Sequence, residues 1–529
     1  MPARRAPPGA LSLALAVRER YRQGQSDYSL EPVVLVDGDG QPVARVHDGD
    51  AVVFCCRRGE REVQLTEAFV EGEWSRFPRR AVRDLTFCTL TLYHEKFSRL
   101  PVAFAPTRLS STLGEVVSRM GLTQLHVAES EKYAHVTYFL NGGRHEPYAG
   151  EQDVRVPSPK GIPFEQVPEL NAAGVAAAVR KGIGDRFDLI VANIANGDVI
   201  GHTSSREAKL RCAAEVDARL GEIVQEAFDG DYVVLVTADH GNLEILTTAD
   251  GSPHVSHTDS PVPFLFLDRR RPPGVHARDG ALADVAPTVL RLLGVEPPRE
   301  MDGGCLLSSA RWNGGRRVLL LILDGWGIGR QDDSNPIYLA QPENWNRLTQ
   351  EHPVSRLQAS GDAVGLRPGK AGNSEAGHMN LGAGRVIQQD DVRLEAAMAD
   401  GTFSKNKTLL RVIDGVRKRR SNLHLIGLLS EKSSHGSIEY PLEVLRMARH
   451  KGLSNAYLHV ILDGRSTEPG SAPELLAQLG ERLQEIGIGR VASGVGRGIA
   501  LDRNGDYEKT RRAYEAIADG IGQPHPVSE

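Results

Sequence analysis

The amino-acid sequence predicts an α/β protein with mainly parallel sheets, because short apolar runs alternate with longer amphipathic segments along the chain. Continuous apolar runs of this length are typical of strands that are covered on both faces of a sheet. A chain of 529 residues has room for about two to four domains. The runs that we predict to be buried strands are Leu189–Ile194, Tyr232–Val236, Pro263–Leu267, Val318–Leu323, Leu423–Leu428 and Tyr457–Leu462.

Helices are predicted where apolar residues recur with a period near 3.6. The apolar run Leu11–Val17 predicts an amphipathic helix and not a signal peptide, because charged residues follow it where a cleavage site would lie. The longest predicted helix covers residues 205–228. Ser471, with Glu474 three residues later and Pro473 between them, predicts a further helix that opens with a capping box.

Composition and charge describe an ordinary globular protein. The net charge is −5 and 25% of the residues are charged, which gives no reason to expect nucleic acid or an anionic membrane as a partner. No apolar run is long enough to cross a bilayer. The five cysteines lack the spacing of a metal or redox motif and indicate reduced thiols. We therefore expect a cytoplasmic protein, and we expect it to be a monomer.

Three of the predicted strands lead into an aspartate: Asp198, Asp239 and Asp324. Ligands of open α/β sheets collect at the carboxyl ends of the strands. Three carboxylates at one such edge would repel each other unless cations lay among them. Histidines follow at His202, His240 and His257. Mixed carboxylate and imidazole ligands favour Mn²⁺ or Zn²⁺.

A candidate nucleophile lies in the glycine-bearing segment from Gly372 to His378, which contains Ser374. A serine hydroxyl is a poor nucleophile unless a base or a nearby cation activates it. The segment lacks the G-x-S-x-G pattern of a lipase-like triad. Activation by bound metal ions is therefore the better hypothesis.

These motifs resemble those of a known family. Asp324–Gly327, Gly372–Glu375, Asp198 to Thr203, Thr237–Asn242 and His257–Thr258 resemble the cofactor-independent phosphoglycerate mutases of the alkaline phosphatase superfamily. The resemblance implies an alkaline-phosphatase-like domain and a smaller transferase-like domain. In that family the first two motifs precede the other three, so this sequence resembles a circular permutant joined through Ser308–Gly315. The alkaline-phosphatase-like domain is then expected at 107–388, and the transferase-like substrate domain at 389–529 and 1–106.

The resemblance also implies roles for single residues. One divalent ion is expected on Asp198, His202 and His257, and a second on Asp324, Asp239, His240 and Ser374. Mn²⁺ is the expected ion, with Zn²⁺, Co²⁺ or Mg²⁺ as alternatives. Ser374 is expected to take the phosphoryl group of 3-phosphoglycerate and return it to form 2-phosphoglycerate in glycolysis, with Lys132 and Arg465 as the other catalytic residues. The substrate-binding positions implied are Lys132, His435, Arg465, Arg497, Arg503, Arg58 and Arg61.

Departures from the family pattern keep other functions open. Ser466 lies where the family has an aspartate, and Gly59–Glu60 and Ser437 also differ. A serine cannot act as a carboxylate base near neutral pH. A phosphoryl or phosphonyl transferase, or a phosphatase, acting on a related hydroxy acid is therefore an alternative. A third hypothesis is an inactive binding protein. The complete set of metal ligands argues against this hypothesis.

Overall fold

The computed structural model describes residues 9–57, 59–106, 109–308, 315–431, 433 and 435–527. The chain forms two compact units: unit 1 is Met1–Pro106 with Arg393–Glu529, and unit 2 is Thr107–Val392. Arg58 and most of the predicted connector, residues 309–314, lie outside the described residues. Both units are α/β, as predicted, while the functions assigned to the segments stay predictions.

The structure contains the following elements in chain order. The strands are β1 (Val33–Val36), β2 (Ala51–Phe54), β3 (Thr86–Thr91), β4 (Val102–Phe104), β5 (Gln124–Glu129), β6 (Glu151–Val156), β7 (Leu189–Ile194), β8 (Tyr232–Thr237), β9 (Val262–Leu267), β10 (Gly280–Ala281), β11 (Arg317–Leu323), β12 (Val354–Gln358), β13 (Leu423–Leu429), β14 (Ala456–Leu462), β15 (Arg490–Gly496) and β16 (Gln523–Pro526). The α-helices are α1 (Ala10–Arg22), α2 (Gly59–Val70), α3 (Leu113–Arg119), α4 (Ala172–Gly184), α5 (Asn196–Gly201), α6 (Arg206–Asp229), α7 (Val285–Leu292), α8 (Pro336–Leu339), α9 (Glu343–Glu351), α10 (Ser374–Ala383), α11 (Asp390–Ala399), α12 (Lys407–Arg419), α13 (Glu439–His450), α14 (Ala472–Ile486), α15 (Arg497–Ala500) and α16 (Tyr507–Ala518).

The sheet of unit 2 has the order β10-β12-β9-β8-β11-β7-β5-β6. Strand β11 is parallel to β7 on one side and to β8 on the other, with Leu323 opposite Ile194 and Ile322 opposite Thr237. Because all three strands are buried along almost their whole length, apolar residues occupy both of their faces. The register brings their carboxyl ends to one edge of the sheet, where the candidate site lies.

The six strands predicted from apolar runs are confirmed to within one residue at each end. The sheet of unit 2 is nevertheless mixed, because β9 runs antiparallel to β8 and to β12. A buried antiparallel strand is as apolar as a parallel one, so the sequence pattern does not separate the two cases.

The sheet of unit 1 has the order β16-β1-β15-β14-β13-β2-β3-β4, and a row of buried polar side chains crosses it. Nε2 of His424 lies 3.3 Å from Oδ2 of Asp50, and Nδ1 of His424 lies 3.1 Å from Nε2 of His459. Nδ1 of His459 in turn lies 2.8 Å from the Oγ atom of Ser493. Since Asp50 can only accept, each imidazole in the row is satisfied as a neutral ring with the hydrogen on Nε2.

Helix starts show where local signals succeed and fail. Helix α6 begins after Ser205, whose side chain accepts a hydrogen bond from the Ala208 amide. Helix α14 also begins where predicted, but the capping box at Ser471 is wrong, because its hydroxyl donates to the carbonyl of Glu468 at 2.6 Å. Helix α1 confirms the predicted N-terminal helix. Among the described residues, no helix combines the length and apolarity needed to span a membrane.

Candidate active site

Ser374 is the first residue of α10, and its side chain is only 6% exposed. The helix starts here because the side chain of Asn373 accepts a hydrogen bond from the Ala376 amide, which satisfies a free N–H of the first turn. Gly377 allows the helix to approach the sheet edge, since a Cβ atom there would lie 2.5 Å from the carbonyl oxygen of Asp239. The first turn therefore holds the hydroxyl close to the strand ends.

Lys132 follows β5, and its ammonium group lies beside Ser374. Its Nζ atom is 2.6 Å from Oγ of Ser374, 2.5 Å from Oδ1 of Asp324 and 2.7 Å from Oδ2 of Asp198. Burial disfavours the charged ammonium, but the carboxylates of Asp324, Asp198 and Asp239 outweigh burial and raise the pKa of Lys132. Lys132 is therefore a fixed positive charge within hydrogen-bond distance of the hydroxyl.

The predicted carboxylates come together at the sheet edge. Asp324 follows β11, Asp239 follows β8, and Asp198 lies in α5 immediately after β7. Gly325 is required between them because its φ is +76° and a Cβ atom there would lie 2.5 Å from the Asp198 amide nitrogen. Its own amide donates to Oδ1 of Asp239 at 3.2 Å.

The first predicted ligand set surrounds Asp198. Its Oδ1 atom lies 3.0 Å from Nε2 of His257 and 3.2 Å from Nε2 of His202, and the two Nε2 atoms are 3.1 Å apart. The other ring nitrogens donate to carbonyls: Nδ1 of His202 to Val255 and Nδ1 of His257 to Gly372, both at 2.9 Å. These donations leave a lone pair on each Nε2, pointed at the same oxygen. Three electron-pair donors in such contact fit a shared cation.

The second predicted set surrounds His240. Its Nε2 atom lies 2.9 Å from Oγ of Ser374, 3.4 Å from Oδ2 of Asp239 and 3.7 Å from Oδ1 of Asp324. Nδ1 of His240 lies 3.1 Å from the Gly241 carbonyl, so this Nε2 also presents its lone pair to the group. Oδ2 of Asp239 is buried and has no hydrogen-bond partner among the described residues, which fits a cation ligand.

Protonation in this cluster follows the local charges. Burial opposes ionisation of Asp198, yet Lys132 and the neighbouring histidines hold its pKa well below the ordinary value. Burial and the nearby charge of Asp239 raise the pKa of Asp324. The neighbouring carboxylate of Asp198 raises the pKa of His202. Two groups of potential ligands share His240, and within each group one atom per residue lies within 4.8 Å of the others: Asp198, His240 and His257, and Asp239, His240 and Asp324. Oxygen and imidazole donors together suit a divalent transition-metal ion.

Sequence reasoning missed the residues that support this cluster. His378, one turn after Ser374, lies with Nδ1 2.9 Å from the Ser374 carbonyl and with Nε2 3.0 Å from the side-chain amide of Asn193. The same amide donates to Oδ2 of Asp324 at 2.7 Å. Asn242 donates to Oδ1 of Asp198 at 2.8 Å. The spacing of His378 from Ser374, four residues on one helix, was the signal that could have found it.

The predicted substrate residues other than Lys132 lie in unit 1, where three arginines affect the pKa of a fourth. Burial and the positive charges of Arg503, Arg497 and Arg465 lower the pKa of Arg61. Arg497 is 2% exposed and donates to Oδ1 of Asp463 at 2.5 Å, while its Nε atom has no hydrogen-bond partner among the described residues. We call these four residues, Arg61, Arg465, Arg497 and Arg503, the arginine group. Like charges brought together suit an anionic ligand.

His435 is buried, and its Nδ1 atom lies 3.3 Å from Oε1 of Glu62, the neighbour of Arg61 on α2. Ser466, which replaces the aspartate expected from the family, is exposed, and its hydroxyl lies 3.5 Å from that of Ser433. Arg58 lies outside the described residues.

A family model described as the metalloenzyme superfamily matches residues 21–297, more than half of the chain. The chain belongs to the metalloenzyme superfamily. The matched residues include Lys132 and the candidate metal ligands Asp198, His202, Asp239, His240 and His257. Asp324 and Ser374 lie outside the matched range. A second model, described as the N-terminus of BPG-independent PGAM, matches residues 394–528.

Two curated relatives of the chain share the name 2,3-bisphosphoglycerate-independent phosphoglycerate mutase. The 2,3-bisphosphoglycerate-independent phosphoglycerate mutase of Moorella thermoacetica is 44% identical over 299 residues, 56% of this chain and 58% of the relative. The protein of the same name from Syntrophotalea carbinolica is 42% identical over 299 residues, 56% of this chain and 57% of the relative. The chain thus spans little more than half the length of the relatives it matches. A solved structure of Leishmania mexicana phosphoglycerate mutase, at 27% identity and a TM-score of 0.42, covers 52% of this chain and 53% of its own.

Proposed function

We propose that this metalloenzyme is a metal-dependent phosphoglycerate mutase, which interconverts 3-phosphoglycerate and 2-phosphoglycerate through a phosphoserine at Ser374. The observation that carries the proposal is the position of the Ser374 hydroxyl, 2.6 Å from the Lys132 ammonium and 2.9 Å from Nε2 of His240. The relatives named phosphoglycerate mutase support the same activity.

The reaction consists of two phosphoryl transfers. In the first, Oγ of Ser374 loses its proton and bonds to phosphorus as the bond from phosphorus to the C3 oxygen breaks, and the C3 oxygen takes up a proton. In the second, the C2 hydroxyl loses its proton and its oxygen bonds to phosphorus, while the bond from phosphorus to Oγ of Ser374 breaks and Oγ takes up a proton. The two steps balance, so neither water nor a second phosphate donor is consumed.

The residues of the chain bind and orient the reacting groups. The buried ammonium of Lys132 favours the ionised form of Ser374 and attracts the transferring phosphoryl oxygens. The arginine group is proposed to bind the anionic groups of the phosphoglycerate, since each guanidinium fork matches two oxygens. Divalent ions bound by Asp198, His202 and His257, and by Asp324, Asp239, His240 and Ser374, would supply further positive charge for the nucleophile and the phosphoryl group. Mn²⁺ is the proposed ion.

We propose further that the chain is circularly permuted relative to its relatives. A family model described as an N-terminus matches residues 394–528, late in this chain, and follows the metalloenzyme match at 21–297. Each alignment to the two relatives spans only 56% of the chain, which agrees with a change in the order of segments. A cytoplasmic location and a monomeric state belong to the same proposal; fractionation and light scattering would check them.

The proposal is tested by following three products at once. Protein loaded with Mn²⁺ is incubated with 3-phosphoglycerate, and 2-phosphoglycerate, free phosphate and phosphoserine are measured. We expect 2-phosphoglycerate to form and Ser374→Ala to lower its rate by about 10⁶-fold, as for other nucleophile deletions. Ser118→Ala, which removes a hydroxyl bonded to the Ala149 carbonyl, is the matched control and should retain activity.

Release of phosphate without 2-phosphoglycerate would contradict the mutase and indicate a phosphatase. A phosphoserine that forms but does not turn over would indicate another acceptor. No reaction with any phosphorylated hydroxy acid, in protein that binds Mn²⁺, would contradict an enzymatic role.

A further inference from the structure

A second group of potential metal ligands lies in unit 2, away from the strand ends described above. It consists of His126 on β5 and Glu151 and Asp153 on β6, and we call it the β5–β6 polar group. One ligand atom from each residue lies within 4.8 Å of the other two. The parallel register places Asp153 opposite His126, and Glu151 two residues earlier on β6, so all three side chains share one face of the sheet.

The orientation of His126 is set by its neighbour Gln124. The side-chain nitrogen of Gln124 donates to the Gly114 carbonyl at 2.9 Å, which turns its oxygen toward Nε2 of His126 at 3.2 Å. Since an amide oxygen only accepts, Nε2 carries the hydrogen and Nδ1 carries a lone pair. A hydrogen bond from the distal ring nitrogen is also how proteins orient a histidine that binds a metal.

The lone pair of His126 faces acids. Nδ1 lies 3.4 Å from Oε1 of Glu151, and it has no hydrogen-bond partner among the described residues although His126 is 0% exposed. Glu151 is held as an acceptor by the side-chain amide of Asn141 at 2.7 Å and the Tyr148 amide at 2.9 Å. Oδ1 of Asp153 is also buried and without such a partner among the described residues. Three electron-pair donors thus face one another in a buried place.

We propose that the β5–β6 polar group binds a divalent transition-metal ion of the Zn²⁺ class, through Nδ1 of His126 and the carboxylates of Glu151 and Asp153. Imidazole nitrogen and carboxylate oxygen are both ligands of such ions. An ion here would join the edge strand β6 to β5, the strand that leads to Lys132.

The alternative to a metal ion is a proton shared between Glu151 and Asp153. Measuring the metal content of the protein distinguishes these two possibilities. The full-length protein is equilibrated with Zn²⁺, desalted and analysed for zinc per chain. We expect Glu151→Gln and Asp153→Asn each to bind one equivalent fewer than the wild type. Glu146→Gln, the same change at an exposed position nearby, should bind as many as the wild type.

Equal zinc content in the wild type and both variants would overturn the proposal. If the variants do not fold, wild-type crystals grown with Zn²⁺ decide, since anomalous scattering at the zinc edge should show a peak among His126, Glu151 and Asp153. The absence of that peak would also overturn it. Because the readout is a difference of one ion at this place, it does not depend on phosphoglycerate mutase activity.

Discussion

The ammonium of Lys132 and the hydroxyl of Ser374 lie 2.6 Å apart inside unit 2, and neither side chain has appreciable contact with solvent. Lys132 also contacts Asp198 and Asp324. One lysine therefore links the proposed nucleophile to the acids of both predicted ligand sets. Its removal should affect stability as well as reaction.

Lys132→Met should destabilise the metal-free protein. Removing one partner of a buried ion pair leaves a charge unpaired and costs about 3–5 kcal/mol. We expect a lower free energy of unfolding in denaturant titrations with a chelator present, and a smaller deficit when Mn²⁺ is added. Lys160→Met, at an exposed lysine, is the control. Equal stability of the two variants would show that the ammonium does not neutralise the acids.

His378→Ala should weaken metal binding and turnover without removing a ligand. His378 holds Asn193 and the Ser374 carbonyl, and loss of such supporting contacts typically costs about 10–100-fold in metal affinity or activity. Mn²⁺ titration and steady-state kinetics measure both quantities. His276→Ala, at an exposed histidine of the same unit, should change neither. If both variants behave like the wild type, His378 does not position the cluster.

Arg465→Met should weaken binding of phosphoglycerate. A charge-assisted hydrogen bond contributes about 1.5–3 kcal/mol, or roughly 10–100-fold in Kd. Calorimetry in the Ser374→Ala background measures Kd without turnover, and Arg490→Met provides an exposed control on β15. Arg465 is itself exposed, so the fold should survive the change. An unchanged Kd would remove Arg465 from the substrate site.

Buried His459, in the row of polar side chains that crosses the sheet of unit 1, should make the free energy of unfolding depend on pH. Burial and the neighbouring His424 hold the pKa of His459 well below the ordinary value. Below an unfolded pKa of about 6.5, the unfolded chain takes up a proton that folded His459 does not. The contribution of His459 to the free energy of unfolding is therefore fully present above about pH 6.5. It is lost as the pH falls toward the depressed pKa of the folded state, by at most about 1.4 kcal/mol per pH unit.

Denaturant titrations between pH 7 and pH 5 check this expectation. The slope of unfolding free energy against pH should be smaller in His459→Gln than in the wild type. His450→Gln, at an exposed position, should keep the wild-type slope. A variant of His459 with the wild-type slope would contradict the assignment.

The strands and the three strand-end aspartates were accessible to sequence reasoning, because a long apolar run followed by an acid is typical of a buried strand that ends at the ligand-binding edge of an α/β sheet. The antiparallel direction of β9 was not, since it depends on its pairing with β8 and β12. Ser471 begins a helix as predicted, but its hydroxyl has a nearer carbonyl partner. His126 escaped notice because only the register of β5 with β6 brings it to Asp153. Contacts made across strands leave no local pattern to detect.

Strand β11 lies between β7 and β8 but comes after both in the chain. A ribosome therefore releases β7 and β8 well before the strand that bridges them. During translation, the edges of β7 and β8 that pair with β11 remain unpaired until Leu323 has left the exit tunnel. A nascent chain of this protein therefore exposes unpaired strands, which favour aggregation, until β11 is available.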